Sequence, residues 1–386
     1  MLYDAIVIGL GAMGSATLYQ LSRQTPNVLG IDQFEPPHTL GSTHGDTRIT
    51  RQAIGEGLHF VPLTLRSYQI WRELEQQSGE KLLTITGGLF VGQQHSTVQT
   101  RNKPGWLTTT LEAAEQFGIT HRILDTDALR HEFPQFRYAQ NDIGYYEPEA
   151  GFLHPERCIR VQLEQAQKAG ASVHTNEQML SFQSTDSGVT VLTDKGSYQT
   201  RKLILTTGSW VTESLRQTPY SNLLQVYRQV LYWFAVEGKY EQYTPDNMPI
   251  FILNDQGIYG FPAIDGPTGG LKVATETYEY PTTPNTVNRT VSQAETQRMY
   301  EQFVEPNLNG IGPQCIKSVV CLYTMTPNGD FILDQHPDYD HVLLASACSG
   351  HGFKHSAAVG QIMAELALIG TTKFDISPFR FSAFSA

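Results

Sequence analysis

The segment Met1–Asp32, MLYDAIVIGLGAMGSATLYQLSRQTPNVLGID, constrains the fold more than any other. Tyr3 to Ile8 is a short apolar run, long enough for one buried strand. It runs straight into Gly9-Leu10-Gly11-Ala12-Met13-Gly14. Ala16, Leu18, Tyr19 and Leu21 then recur at helical spacing up to the Thr25-Pro26 break. Val28 to Ile31 reads as a second strand and ends on Asp32. In this order Gly9 permits a tight turn, Gly11 lets a pyrophosphate approach the backbone, and Gly14 lets helix and strand pack closely. The helix N-terminus offers free N–H groups to the diphosphate. Asp32 follows Gly14 at about the ~20-residue offset expected of an acid that holds a ribose hydroxyl. This predicts a dinucleotide site and leaves FAD and NAD both open.

A chain of 386 residues suggests two domains or one large one, with ample length for a core. Its net charge of -11 argues against a nucleic-acid partner, because a negative surface repels phosphate backbones. The four cysteines, Cys158, Cys315, Cys321 and Cys348, are scattered without a CxxC. Neither a disulfide framework nor a metal site is indicated. The first strand begins too early for a signal peptide, and no apolar run approaches the ~20 residues of a membrane span. A cytoplasmic protein with no membrane partner is the expectation.

Further along, TLGSTHGDTRITR (39–51) reads as loop and concentrates His44, Asp46, Arg48 and Arg51. On a helical turn Arg48 and Arg51 would share a face. Helices are expected at Phe60–Leu74, Trp106–Phe117, Asp125–Phe133, Pro155–Ala169, Ser292–Leu308 and Ala357–Leu368. Val173–Phe182, Val189–Thr193 and Tyr198–Leu205 read as strands. The aromatic, β-branched run Tyr227–Val236 predicts a large half-buried sheet, continued by a hairpin of Ile258–Pro262 and Gly270–Thr275. Lys272 lies inside that second strand, either snorkelling to solvent or held as a charge in a partly dry site. Near the C-terminus a strand (VLLASA, 342–347), a glycine turn and an apolar helix repeat the opening pattern. Both termini are therefore expected in the nucleotide domain.

Four segments together resemble the monomeric sarcosine oxidase and N-methyltryptophan oxidase family of flavoprotein amine oxidases: IGLGAMGSA at the start, GSTHGDTRITRQAIGEG (41–57), CLYTMTPNGDFILD (321–334) and SGHGFKHS (349–356). The resemblance implies an α/β protein with a Rossmann-type FAD-binding domain (1–82, 151–218 and 320–386). It implies a second, α+β substrate domain (83–150 and 219–319) on a large, mostly antiparallel sheet. It implies FAD bound through Gly9, Gly11, Gly14, Asp32, Ser42, Gly350 and Gly352, and covalently through Cys321. Arg51 and Lys354 would clamp the substrate carboxylate, with Tyr323 in the substrate pocket. Lys272, Arg48, His44 and Tyr259 would be the catalytic set, Lys272 activating oxygen. The implied partners are a secondary amino acid such as sarcosine, N-methyltryptophan or a cyclic pipecolate-like amine, and O2, acting on a monomer.

One departure stands out. Glu276 lies four residues after Lys272, where the family often has histidine. A flavin dehydrogenase with another electron acceptor is the nearest alternative. An NAD(P)-dependent dehydrogenase would explain the glycine motif but not Cys321 or the C-terminal glycine turn. A flavin-dependent RNA-modifying protein is disfavoured by the charge.

Overall fold

The computed structural model describes residues 1–93, 105–253 and 255–384. Leu2–Ile8 is a buried parallel strand, flanked by Val28–Ile31 on one side and Ser197–Leu205 on the other. Tyr339–Ser346 extends this parallel core beyond Ser197–Leu205, and Ser172–His174 extends it beyond Val28–Ile31. With Met179–Thr185, Gly188–Thr193 and Ile332–His336 these strands form one eight-stranded sheet among the described residues. The helices Ala12–Ser22, Pro155–Lys168 and Ser356–Leu368 cover the parallel core. Ile362 and Met363 share one apolar cluster there with Leu18 and Ile159.

A second, nine-stranded sheet is mostly antiparallel. Its centre is Gln225–Val236, paired with Leu271–Thr275 on one side and with the long strand Ile311–Met325 on the other. Ile250–Leu253 runs parallel to Gly88–Gln93, the exception to its antiparallel order among the described pairs. A small three-stranded sheet joins Arg48–Thr50, Leu83–Ile85 and Gly151–Leu153. No helix of the described residues is long and apolar enough to cross a membrane.

Several expectations change. Arg48–Thr50 is a strand, so Arg48 and Arg51 do not share the face of a helical turn; their backbone pairs with Gly151–Leu153, about a hundred residues away. The stretch 173–182 is two strands, because Asn176 turns left-handed at φ 53° between them. The helix expected over 292–308 keeps its capping box at Ser292 and Glu295 but is α-helical only over Gln293–Met299; a wider π-type turn follows at Tyr300–Val304.

Candidate active site

The glycine turn works through contact rather than flexibility alone. A Cβ on Gly14 would stand 1.7 Å from the Gly9 carbonyl oxygen, so the first helix can only dock this closely without one. At Gly11 the nearest atom to a Cβ would be Thr43 Oγ1 at 3.9 Å, so there the backbone faces open space. That space belongs to a cavity of about 940 Å³ that runs from Asp32 past Gly11 to the face of the large sheet. Gly11 is the N-cap and supplies no side chain, which leaves the helix N–H groups for a ligand. Thr207 Oγ1, also on the cavity wall, is buried without a hydrogen-bond partner among the described residues. Asp32 accepts from Leu10 N (2.6 Å) and Phe34 N (2.8 Å). Burial raises its pKa against those two bonds. These residues fit a dinucleotide diphosphate and ribose.

The large sheet supplies the opposite wall. Strand alternation puts Lys272 and Ala274 on one face, in register with Trp233 and Leu231, and Cys321 pairs opposite Gln229. Lys272 is 3% exposed, so it does not snorkel. Its ammonium donates to Gly45 O (2.6 Å), Thr47 O (2.8 Å) and Thr47 Oγ1 (3.1 Å), and it lies over the Phe261 ring at 4.5 Å. Burial, then the Arg48 charge, push its pKa well down, while the three oxygens favour the charged form. Those carbonyls are aimed at it by the left-handed pair Gly45 and Asp46, pinned through their N–H groups by Glu156 at 2.6 and 3.2 Å.

Cys321 is 1% exposed but lines the cavity. Arg48 Nη2 lies 3.6 Å from its sulfur, and the thiol donates to Ser42 O at 3.2 Å. The sulfur thus sits against a guanidinium at the cavity wall. Tyr259 and Tyr323 meet hydroxyl to hydroxyl at 3.1 Å. Burial keeps both phenols neutral, Tyr259 pushed up to about 12.

Arg51 and Lys354, three hundred residues apart in sequence, converge on one carboxylate. Arg51 Nη2 donates to Glu56 Oε2, and Lys354 Nζ lies 3.6 Å from Glu56 Oε1. Arg51 is stacked against Trp106 (4.4 Å) and Phe90 (5.1 Å). Its Nε and Nη1 have no hydrogen-bond partner among the described residues. Glu147 fixes the chain after it, accepting from Gln52 N (2.6 Å) and Ala53 N (3.1 Å).

Of the site residues expected from sequence, Gly14 and His44 lie behind the cavity wall rather than on it. His44 is 2% exposed, and burial together with the Arg48 and Lys272 charges lowers its pKa to about 3, so it is neutral. Gly9, Ser42, Gly350 and Gly352 reach the cavity. Glu56, Trp106 and Phe261 were not anticipated. Glu56 alone left a trace, an acid five residues after Arg51 within a charged loop.

A glycine cradle, a thiol beside a guanidinium and two cations on one carboxylate share one cavity, an arrangement that fits an enzyme working through a bound dinucleotide. The chain belongs to the FAD dependent oxidoreductase family, which it matches over residues 4–366. It is therefore an FAD-dependent oxidoreductase. It is 38% identical to the monomeric sarcosine oxidase of Streptomyces avermitilis, with 98% of this chain and 96% of that protein covered. It is 34% identical to the N-methyl-L-tryptophan oxidase of Salmonella enteritidis PT4 over the whole of both chains. Its fold matches NikD, an amino acid oxidase of nikkomycin biosynthesis, at TM-score 0.83 and 22% identity, covering 98% of this chain and 97% of that one. It matches L-proline dehydrogenase from P. horikoshii at TM-score 0.80 and 18% identity, covering 99% and 98%.

Proposed function

We propose that this protein is an oxidase of secondary, N-methyl amino acids, passing two electrons to FAD and then to O2 and releasing an imine and H2O2. The observation that carries this reading is the meeting of Arg51 and Lys354 on one carboxylate inside the cavity that also holds the glycine cradle and Cys321. Two cations on one carboxylate fix orientation as well as affinity. Bound FAD supplies the two-electron acceptor, and the chain supplies orientation and field. Arg51 and Lys354 grip the substrate carboxylate in place of Glu56. Tyr259 and Tyr323 form an uncharged wall. Cys321, with Arg48 Nη2 3.6 Å from its sulfur, would hold the flavin through a thioether. Lys272, fixed by three oxygens, stabilises negative charge as O2 is reduced.

The two sheets support a cofactor domain of 1–82, 151–218 and 320–386 and a substrate domain of 83–150 and 219–319, save that Ile311–Met325 pairs with Gln225–Val236 up to Met325 and so stays with the second sheet past residue 320. The reading includes a monomer acting in the cytoplasm. Peroxide release from a panel of sarcosine, N-methyltryptophan and pipecolate tests the activity. Acid precipitation tests the linkage: the yellow colour should stay with the wild-type polypeptide and leave Cys321→Ala. Flavin reduced by these amines but indifferent to air would make the protein a dehydrogenase instead.

A further inference from the structure

The antiparallel pairing of Arg48–Thr50 with Gly151–Leu153 sets Arg48 opposite Leu153. The chain entering the first strand, Gly45-Asp46-Thr47, therefore runs beside the chain leaving the second, His154-Pro155-Glu156. Glu156 is the second residue of the helix Pro155–Lys168, where the helix N-terminus favours an acidic residue. Its Oε1 accepts from Gly45 N at 2.6 Å and from Asp46 N at 3.2 Å. Thr47 N donates to Gly45 O at 2.8 Å across Asp46, which sits at φ 70°. A bond from residue i to i+2 around a positive φ is the form of the rare, strained γ-turn, and such backbone persists only where its surroundings hold it.

All three oxygens that bond the Lys272 ammonium belong to this turn: Gly45 O, Thr47 O and Thr47 Oγ1. Asp46 N–H and Gly45 C=O are part of one peptide plane and point opposite ways. Glu156 on the N–H side and Lys272 on the C=O side therefore orient that plane from its two edges. Lys317 also meets Asp46, at its side chain (2.7 Å), but as a half-exposed ion pair that adds little and leaves the peptide free to turn. We infer that Glu156 is a positioning residue for oxygen reduction: it aims the Gly45–Asp46 peptide so that its carbonyl holds Lys272 at the cavity wall. The part it plays is that of an acceptor, which an amide of the same length fills as well. An ammonium stabilises charge developing on oxygen only from a fixed place, and an error of ~1 Å can cost about a hundredfold. The inference rests on the oxygen role of Lys272.

The test is a double-mutant cycle on the flavin-loaded enzyme. The flavin is photoreduced without air, so that no amine is needed, and its reoxidation is followed by stopped-flow mixing with aerated buffer. Glu156→Ala should slow reoxidation about tenfold or more, and Glu156→Gln should stay within about twofold of wild type. Added to Lys272→Met, Glu156→Ala should slow reoxidation by less than about twofold further, because the group it positions is gone. Should Glu156→Ala not take up flavin, Glu156→Asp takes its place: it draws the acceptor back by one methylene and should slow reoxidation about threefold or more, again only where Lys272 is present. A wild-type rate in Glu156→Ala overturns the inference. An equal slowing with and without Lys272 also overturns it, since that is what a merely structural role would give. A Glu156→Gln as slow as Glu156→Ala overturns it too, because charge and not the acceptor would then matter. Lys272→Met reoxidising at the wild-type rate removes the oxygen role and this inference with it, whereas a slow Lys272→Met beside a fast Glu156→Ala leaves the oxygen role standing.

Discussion

Arg51 combines three demands that no other side chain meets. It must be a cation while 1% exposed, lie over the Trp106 and Phe90 rings, and present several donors in one plane. Arg51→Lys keeps the charge but loses the stacking and the fork. It is expected to raise the substrate KM by about tenfold or more, with a smaller change in kcat. Arg51→Gln also leaves Glu56 short of one cation and should cost roughly a hundredfold in kcat/KM. Steady-state peroxide release measures both, and an unchanged KM in Arg51→Lys would remove the clamp. Lys272 is tested by a different half of the reaction. Lys272→Met should slow reoxidation of the reduced flavin by O2 at least about a hundredfold, the scale of losing one preorganised charge. Flavin reduction by substrate should change far less. The variant also removes one of two donors from each of the Gly45 and Thr47 carbonyls, which keep Thr47 N (2.8 Å) and Arg48 Nη1 (2.9 Å), so its melting temperature should fall only modestly. Stopped-flow mixing with aerated buffer separates the two effects, and equal reoxidation rates would remove the oxygen role.

The first strand, its glycine turn and the first helix act as one part, because the Gly14 contact ties helix to strand through backbone atoms that cannot move aside. Gly14→Ala should cost about 3 kcal/mol or more and release FAD, read as a lower melting temperature and a loss of yellow colour. Such elements were legible because their signals are local. The glycine spacing, the Trp106–Phe117 helix and the Asp125 cap, which accepts from Ala128 N at 2.8 Å, all lie within a few residues of their cause. Pairing between distant segments was not legible. Nothing in Arg48-Ile49-Thr50 shows that Gly151–Leu153 will draw it into a sheet. The site divides in the same way. Residues 51 and 354 were expected together only through resemblance, and their common partner Glu56 needed the fold. Trp106 read as an ordinary helix start, since its ring meets Arg51 only once the helix is docked.

Over the whole molecule, the cation-rich cavity has a consequence for acid stability. Buried histidines beside fixed positive charges resist protonation, His44 down to about 3 and His154 to about 4, with His355 also well lowered, each first by burial. In the unfolded chain each regains a pKa near ~6.5. Between the folded and unfolded values the unfolded state holds more protons, so stability falls as pH falls through that window. For His44 the window runs from about 6.5 down to about 3, and going from pH 6.5 to pH 5 costs roughly 2 kcal/mol. Asp32 and Glu147 act in the opposite sense, because burial raises their carboxyls and favours the folded, protonated form as pH drops. The net acid limb therefore cannot be assigned to one group from the wild type alone, but a variant isolates the histidine. His44→Gln keeps a polar side chain and removes the titration. It should be less stable than wild type at pH 7.5, where the buried imidazole packs best. Its melting temperature should then fall less steeply toward pH 5, so that the gap between the two proteins narrows. Parallel curves would mean that His44 takes up its proton inside the folded protein, beside Arg48 and Lys272, and that the cavity is far less positive than its side chains make it.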